Sequence, residues 1–129
     1  MKEITRIQHL WRYEKYHVMM HNYKYYTEIK TMIKNGQSYT SIETRIQEIL
    51  NTPIQPAAFI NTFQHLWGYF KNCATHEEKA LYTAYVHQLQ SESPSYCTSI
   101  QFIQNLAIKY NAQYLLNSSI MTLTLPKTI

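Results

Sequence analysis

The stretch Asn61-Thr-Phe-Gln-His-Leu-Trp-Gly-Tyr-Phe-Lys71, with Phe59 just ahead of it, decides the fold class. Phe59, Phe63, Leu66 and Phe70 recur at i, i+4, i+7 and i+11, which is one apolar stripe on an α-helix. Asn61, His65, Gly68 and Asn72 make a second, polar stripe on the same helix, displaced around its axis. A glycine within a helix costs roughly 1 kcal/mol against alanine, so Gly68 implies close approach by a neighbouring backbone, a ligand or a partner.

Outward from this helix the same period continues and no strand pattern interrupts it. A first helix is expected from about Glu3 to Met20, with Ile4, Ile7, Trp11 and Val18 on one side. A second follows Asn22 as N-cap, turns Tyr26, Ile29 and Ile33 inward and stops at Asn35-Gly36. A third, from about Tyr39 to Leu50, buries Ile42, Ile46, Ile49 and Leu50. Two prolines, Pro53 and Pro56, separate it from the signature helix, read as about Ala57 to Asn72. Thr75-His-Glu-Glu78 has the form of a capping box opening a fifth helix that carries Leu81, Tyr85 and Leu89. A polar break at Ser91-Glu-Ser-Pro94-Ser leads to a sixth, from about Thr98 to Tyr110. The expectation is an all-α bundle of about six helices forming a single domain over residues 1–129. The tail from about residue 112 is open in structure, and Leu115, Ile120, Leu123 and Leu125 are available to pack as an extended segment.

Composition narrows the function. At 129 residues and 45% apolar content, the chain buries enough surface to fold without a disulfide or metal. No apolar run reaches the roughly 20 residues that span a bilayer. Met1-Lys2-Glu3-Ile4 leads directly into an amphipathic pattern, so a cytoplasmic location and no membrane partner are expected. Cys73 and Cys97 read as small buried hydrophobes rather than a cluster. Aspartate is absent; all eight acids are glutamates, which removes Ser-His-Asp triads and aspartate-based magnesium sites. His17 and His21 have zinc spacing on a helix, but Val18 stands where a metalloprotease needs glutamate, and no further ligands suggest themselves. No metal, cofactor or catalytic residue is therefore expected, and no enzyme activity from this chain alone. A small enzyme using His65 stands third among the readings.

The net charge of +4 is unevenly spread. Residues 1–36 hold seven basic and three acidic residues, and residues 37–129 hold five of each. Arg6, Arg12 and Lys15 interleave with Tyr13 and Tyr16, and Tyr23-Lys-Tyr25 follows. Basic side chains hold phosphates and exposed rings stack on unpaired bases, so this end has the composition of an RNA-binding face. The same residues also suit the solvated outer faces of ordinary helices.

The signature stretch resembles the YbgA-like domains, whose pattern is Asn, three residues, His, two residues, then Gly-Tyr-Phe-Lys. His9-Leu-Trp11, Tyr13-Glu-Lys15-Tyr16, Met19-Met20-His21-Asn22 and Tyr114-Leu-Leu116 resemble the same family in the same order. The likeness extends from about His9 to Leu116 and weakens beyond, where only Pro126 remains of a closing Pro-Tyr-Pro. Such domains occur alone or fused behind an iron–sulfur desulfidase of the thiouracil-desulfidase type, where they are thought to help hold tRNA. The resemblance implies a stand-alone accessory module that binds tRNA or other structured RNA, beside a separately encoded desulfidase. This chain lacks the cysteines for that chemistry. Residue by residue it implies phosphate contacts from Lys15 and Lys71, with Arg12 and Tyr16 on the same face. It also implies a polar pocket of His9, Asn61 and His65 for a base or sugar edge, or equally a hydrogen-bond network tying two helices. The alternative reading is a protein–protein adaptor with no nucleic-acid role.

Overall fold

Polar side chains at Asn22, Ser38 and Thr75 fix where three of the helices begin. The computed structural model describes residues 1–125, so Pro126 lies outside the described residues. The helices are α1 (Glu3–His21), α2 (Tyr23–Lys34), α3 (Tyr39–Leu50), α4 (Pro56–Trp67), α5 (His76–Leu89), α6 (Tyr96–Lys109) and the short α7 (Gln113–Leu116), followed by a 3₁₀ turn at Ser119–Thr122. Among the described residues there is no strand. The chain divides into two compact units, Met1–Phe59 and Ile60–Ile129, with the division inside α4.

In the first unit, Asn22 separates α1 from α2. Its extended backbone breaks the helix, and its side chain accepts from the Lys24 N–H at 3.0 Å, as an N-cap does. Gly36, at φ 74, supplies the left-handed turn that ends α2, a conformation a side chain disfavours. Ser38 caps α3 by accepting from the Ser41 N–H at 3.1 Å, and Glu3 accepts from the Tyr39 N–H at 2.9 Å. That bond joins the starts of α1 and α3. Ile7, Val18, Ile29, Ile42, Ile46 and Ile49 form the core between these three helices, with Trp11, Tyr26 and Leu50 packed against its edge. Ile4, expected in that stripe, is 48% exposed on the first turn, where the helix projects past its neighbours.

In the second unit the apolar stripe of α4 is buried as its period requires: Phe63, Leu66 and Phe70 are each at most 1% exposed. Phe63 lies against Tyr82, Tyr85 and Phe102, and Trp67 stacks on Tyr82 at 4.4 Å and 7°. The regular helix ends at Trp67 rather than near Asn72. The Gly68 N–H is shared between the carbonyls of Gln64 and His65, and the next amides of Tyr69 and Phe70 reach back only three residues. These tighter turns still deliver Phe70 to the core. Gly68 is therefore exposed at a helix end. An added Cβ there would stand 3.0 Å from the His65 carbonyl oxygen, so the close neighbour is the chain's own backbone.

Three further expectations are corrected. Between Asn111 and Leu125 the chain forms α7 and the 3₁₀ turn rather than an extended tail. Leu115 and Ile120 are fully buried, and the Gln104 side-chain amide donates to the Ile120 and Leu123 carbonyls at 2.8 and 3.2 Å. With the short α7 the described residues hold seven helices, and the fold is all-α as the helical pattern implies. Leu81 is 48% exposed, because Tyr82 and not Leu81 faces Phe63 and Trp67. Cys73 is exposed and Cys97 half-buried, since both lie where a helix ends or begins and not on a core stripe.

The capping box of α5 is present in both directions: the Thr75 hydroxyl accepts from the Glu78 N–H at 3.1 Å, and Glu78 accepts from the Thr75 N–H at 2.8 Å. Glu78 also accepts from the Lys109 ammonium at 2.8 Å and from the Tyr110 hydroxyl. Lys109, then Tyr110 and the Thr75 amide, hold its carboxyl down at about 2. Because the folded value lies below the ordinary 4.5, this stabilisation is complete above about pH 4.5 and is lost as pH falls toward 2. Glu78→Gln is expected to lower the urea midpoint at pH 7, with the gap to wild type closing between pH 4.5 and 2. A gap independent of pH would show that the carboxylate charge contributes nothing.

Candidate nucleic-acid interface

The polar face of α2 recurs with helical period from its first residue: Tyr23, Tyr26, Thr27, Lys30, Thr31 and Lys34. These six side chains line one surface depression. Its aromatic wall is a short series of tilted rings. Trp11 of α1 lies 5.5 Å from Tyr26, and Tyr26 lies 5.3 Å from Tyr23, whose ring is 48% exposed. Lys30 places its ammonium 5.2 Å from the Tyr26 centroid, within cation–π range. Among the described residues no carboxylate pairs with Lys30 or Lys34. The nearest acid in sequence, Glu28, is committed elsewhere: it binds the Arg45 guanidinium in two-pronged fashion, at 2.5 and 3.1 Å.

Much of the alternation of basic and tyrosine residues is satisfied within the first unit. Arg6 lies over Tyr39 at 4.2 Å, Lys15 over Tyr16 at 5.2 Å, and Lys24 and Arg45 each 5.3 Å from Tyr25. Tyr16 is 7% exposed, so its ring offers no face to an unpaired base. Lys15 is half-buried beside it, and Arg12 and His9 are exposed on α1. The residues that sequence reasoning passed over are Lys30 and Lys34. The signal for them was available in the recurrence from Tyr23 at i+3, i+4, i+7, i+8 and i+11.

In the second unit Asn61, Gln64, His65, Gly68 and Lys71 line a separate open depression of about 380 Å³. The structure thus brings together Asn61, His65 and Lys71, and adds Gln64. His9 belongs to α1 in the first unit.

The paired histidines of α1 are structural. His21 is 5% exposed and donates from Nδ1 to the Thr52 carbonyl at 2.8 Å, while its own carbonyl accepts from the Gln55 N–H at 3.0 Å. Together these bonds hold the loop before α4 against the end of α1. The His17 ring lies 5.4 Å from that of His21. Burial, and then the charge of His21, lower His17 to about 4; Glu14, at 3.9 Å, does not offset this. Burial also lowers His21, against the opposing hydrogen bonds to the Thr52 and Pro53 carbonyls. Both rings are neutral in the fold at pH 7. Below about 6.5 the unfolded chain takes up these protons first, so stability falls as pH drops from about 6.5 through 4. His17→Gln is expected to flatten that decline by up to about 1.4 kcal/mol per pH unit in denaturant melts. An unchanged slope would show that His17 is not a source of it. Among the described residues no three His, Cys, Asp or Glu side chains gather as a metal site requires, and no helix is long and apolar enough to cross a membrane.

The model of a family described as "Protein of unknown function (DUF1722)" matches residues 15–123. No curated protein and no solved structure matches the chain.

Proposed function

The chain belongs to the DUF1722 family of unknown function, and from that premise we propose that it is an accessory RNA-binding module, with tRNA its first candidate ligand. One observation carries the reading: the α2 depression, where Lys30 and Lys34, without acidic partners among the described residues, flank the exposed ring of Tyr23. The lysines neutralise phosphates, and Tyr23, backed by Tyr26 and Trp11, stacks on an unpaired base. Arg12 and Lys15 on α1 and Lys71 beyond α4 add phosphate contacts. The resemblance to YbgA-like domains supports the choice of tRNA and of a thiouridine desulfidase as a working partner.

The test is titration of the purified chain against labelled bulk tRNA at 50 and 200 mM salt. Binding that weakens steeply with salt is expected, because neutralising phosphates releases counterions. No binding at 50 mM salt would overturn the proposal. A second reading, a docking face for another protein, draws on Leu81, exposed beside Glu77 and Ala80 on α5. It predicts no tRNA binding at either salt concentration, and capture of a protein partner that Leu81→Lys abolishes.

A further inference from the structure

The depression beside Gly68 is built unlike the one on α2. Its side chains are two carboxamides, an imidazole and an ammonium, with no carboxylate and no ring of tyrosine or tryptophan. Asn61, Gln64 and His65 lie on adjoining turns of α4, and Lys71 returns to the same depression because the chain tightens after Gly68. Gly68, exposed at the end of α4, lines it as well. Among the described residues no side-chain hydrogen bond or ion pair engages any of the four polar groups. Four side chains therefore face one open space of about 380 Å³ with their hydrogen-bonding capacity unspent inside the protein. That volume lies within the range of about 300–1,000 Å³ common for small-ligand sites.

The donor and acceptor pattern selects a ligand. A carboxamide presents one acceptor and one donor side by side, and its match is a base edge with a donor beside an acceptor. Adenine carries such a pair twice, as N6–H with N7 and as N6–H with N1. Guanine also carries it twice, as N1–H with O6 and as N2–H with N3, whereas each pyrimidine has only its pairing edge. Two carboxamides in one depression can therefore share a purine from two edges. Lys71 supplies the charge for a phosphate, and the His65 ring a face or a nitrogen for the sugar side. We propose that Asn61, Gln64, His65 and Lys71 form a subsite for a single unpaired purine nucleotide. The proposal rests on the RNA-binding reading above, to which it adds base selectivity.

The test uses the full ¹⁵N-labelled chain with adenosine, guanosine, cytidine and uridine monophosphates as separate probes. Adenosine and guanosine monophosphates are expected to shift the side-chain amide signals of Asn61 and Gln64 at several-fold lower concentration than cytidine and uridine monophosphates. The Asn61→Ala, Gln64→Ala double variant, shown to be folded by its amide spectrum, is expected to lose that preference. Its tRNA binding is expected to weaken while staying salt-sensitive, because Lys30, Lys34 and Lys71 remain. Equal responses to all four nucleotides, or none at either carboxamide, would overturn the subsite even where tRNA still binds. A purine preference without any tRNA binding would sustain the subsite as a nucleotide site and overturn the RNA reading on which its role was built.

Discussion

Phe63→Ala is expected to cost about 3–5 kcal/mol of stability, the range for truncating a fully buried phenylalanine. Phe63 is 1% exposed, and its ring meets Tyr82 at 5.5 Å, Tyr85 edge-on at 6.4 Å and Phe102 at 6.4 Å. Removing it leaves a void bounded by large, flat rings. Collapse into that void is resisted, because Tyr82 is held by its stack on Trp67 and Tyr85 by its contact with Phe102 at 5.0 Å. The cost should therefore fall at the upper end of the range. Single-domain proteins commonly have only about 5–15 kcal/mol in total, so much of the variant should be unfolded at moderate urea. Equilibrium urea unfolding by circular dichroism measures this, with Ile108→Ala as the control. Ile108 is 64% exposed on α6, and its truncation should stay within about 0.5 kcal/mol. A Phe63→Ala cost below about 1 kcal/mol would mean that the stripe of α4 does not organise the second unit.

The same stripe shows what a sequence discloses and where it stops. Phe59, Phe63, Leu66 and Phe70 were legible because four large apolar side chains at helical spacing have one common burial direction. Asn22, Ser38 and the Thr75–Glu78 pair were legible because capping is a local hydrogen-bond event, decided within a few residues. The end of α4 was not. Gly68 fits a helix interior and a helix end equally well, and the choice depended on where its N–H found an acceptor. Leu81 and Tyr82 differ by one position, about 100° around a helix, on an element with apolar residues over most of its circumference. Stacking on Trp67 decided for Tyr82. Tyr16 was misjudged as a surface ring for a related reason. Periodicity gives the direction of a face, but not how much of the circumference is covered, and α1 is buried all round at Val18, Met19, Met20 and His21. The α2 depression needed only the helical period to be seen. It was obscured by the more conspicuous run of basic and aromatic residues on α1, whose rings and charges largely satisfy one another or the core.

Reversing the two unpaired charges of α2 should have the largest effect on ligand binding. On the proposed RNA-binding reading, Lys30→Glu with Lys34→Glu removes two phosphate contacts and places two anions beside Tyr23 and Tyr26, along the path proposed for the RNA backbone. The lost contacts are read from the salt dependence. Each neutralised phosphate contributes about 0.7–0.9 to the slope of log affinity against log salt. The double variant's slope should therefore be shallower by about 1.4–1.8, so that between 50 and 200 mM salt the wild type weakens by about 7- to 12-fold more. Added repulsion lowers affinity further at 50 mM, where screening is weakest. The fold should be unaffected, since both lysines are exposed and neither forms an ion pair among the described residues. Net charge alone would produce part of this effect at any position, and Lys79→Glu separates the two causes. Lys79 is exposed on α5 and carries the same charge as Lys34, so reversal at either site alters the net charge equally. A surface centred on α2 requires Lys34→Glu to lose several-fold more affinity than Lys79→Glu, with only the former changing the slope. Equal losses would mean that tRNA responds to the overall charge of the protein and that the depression on α2 is not where it binds.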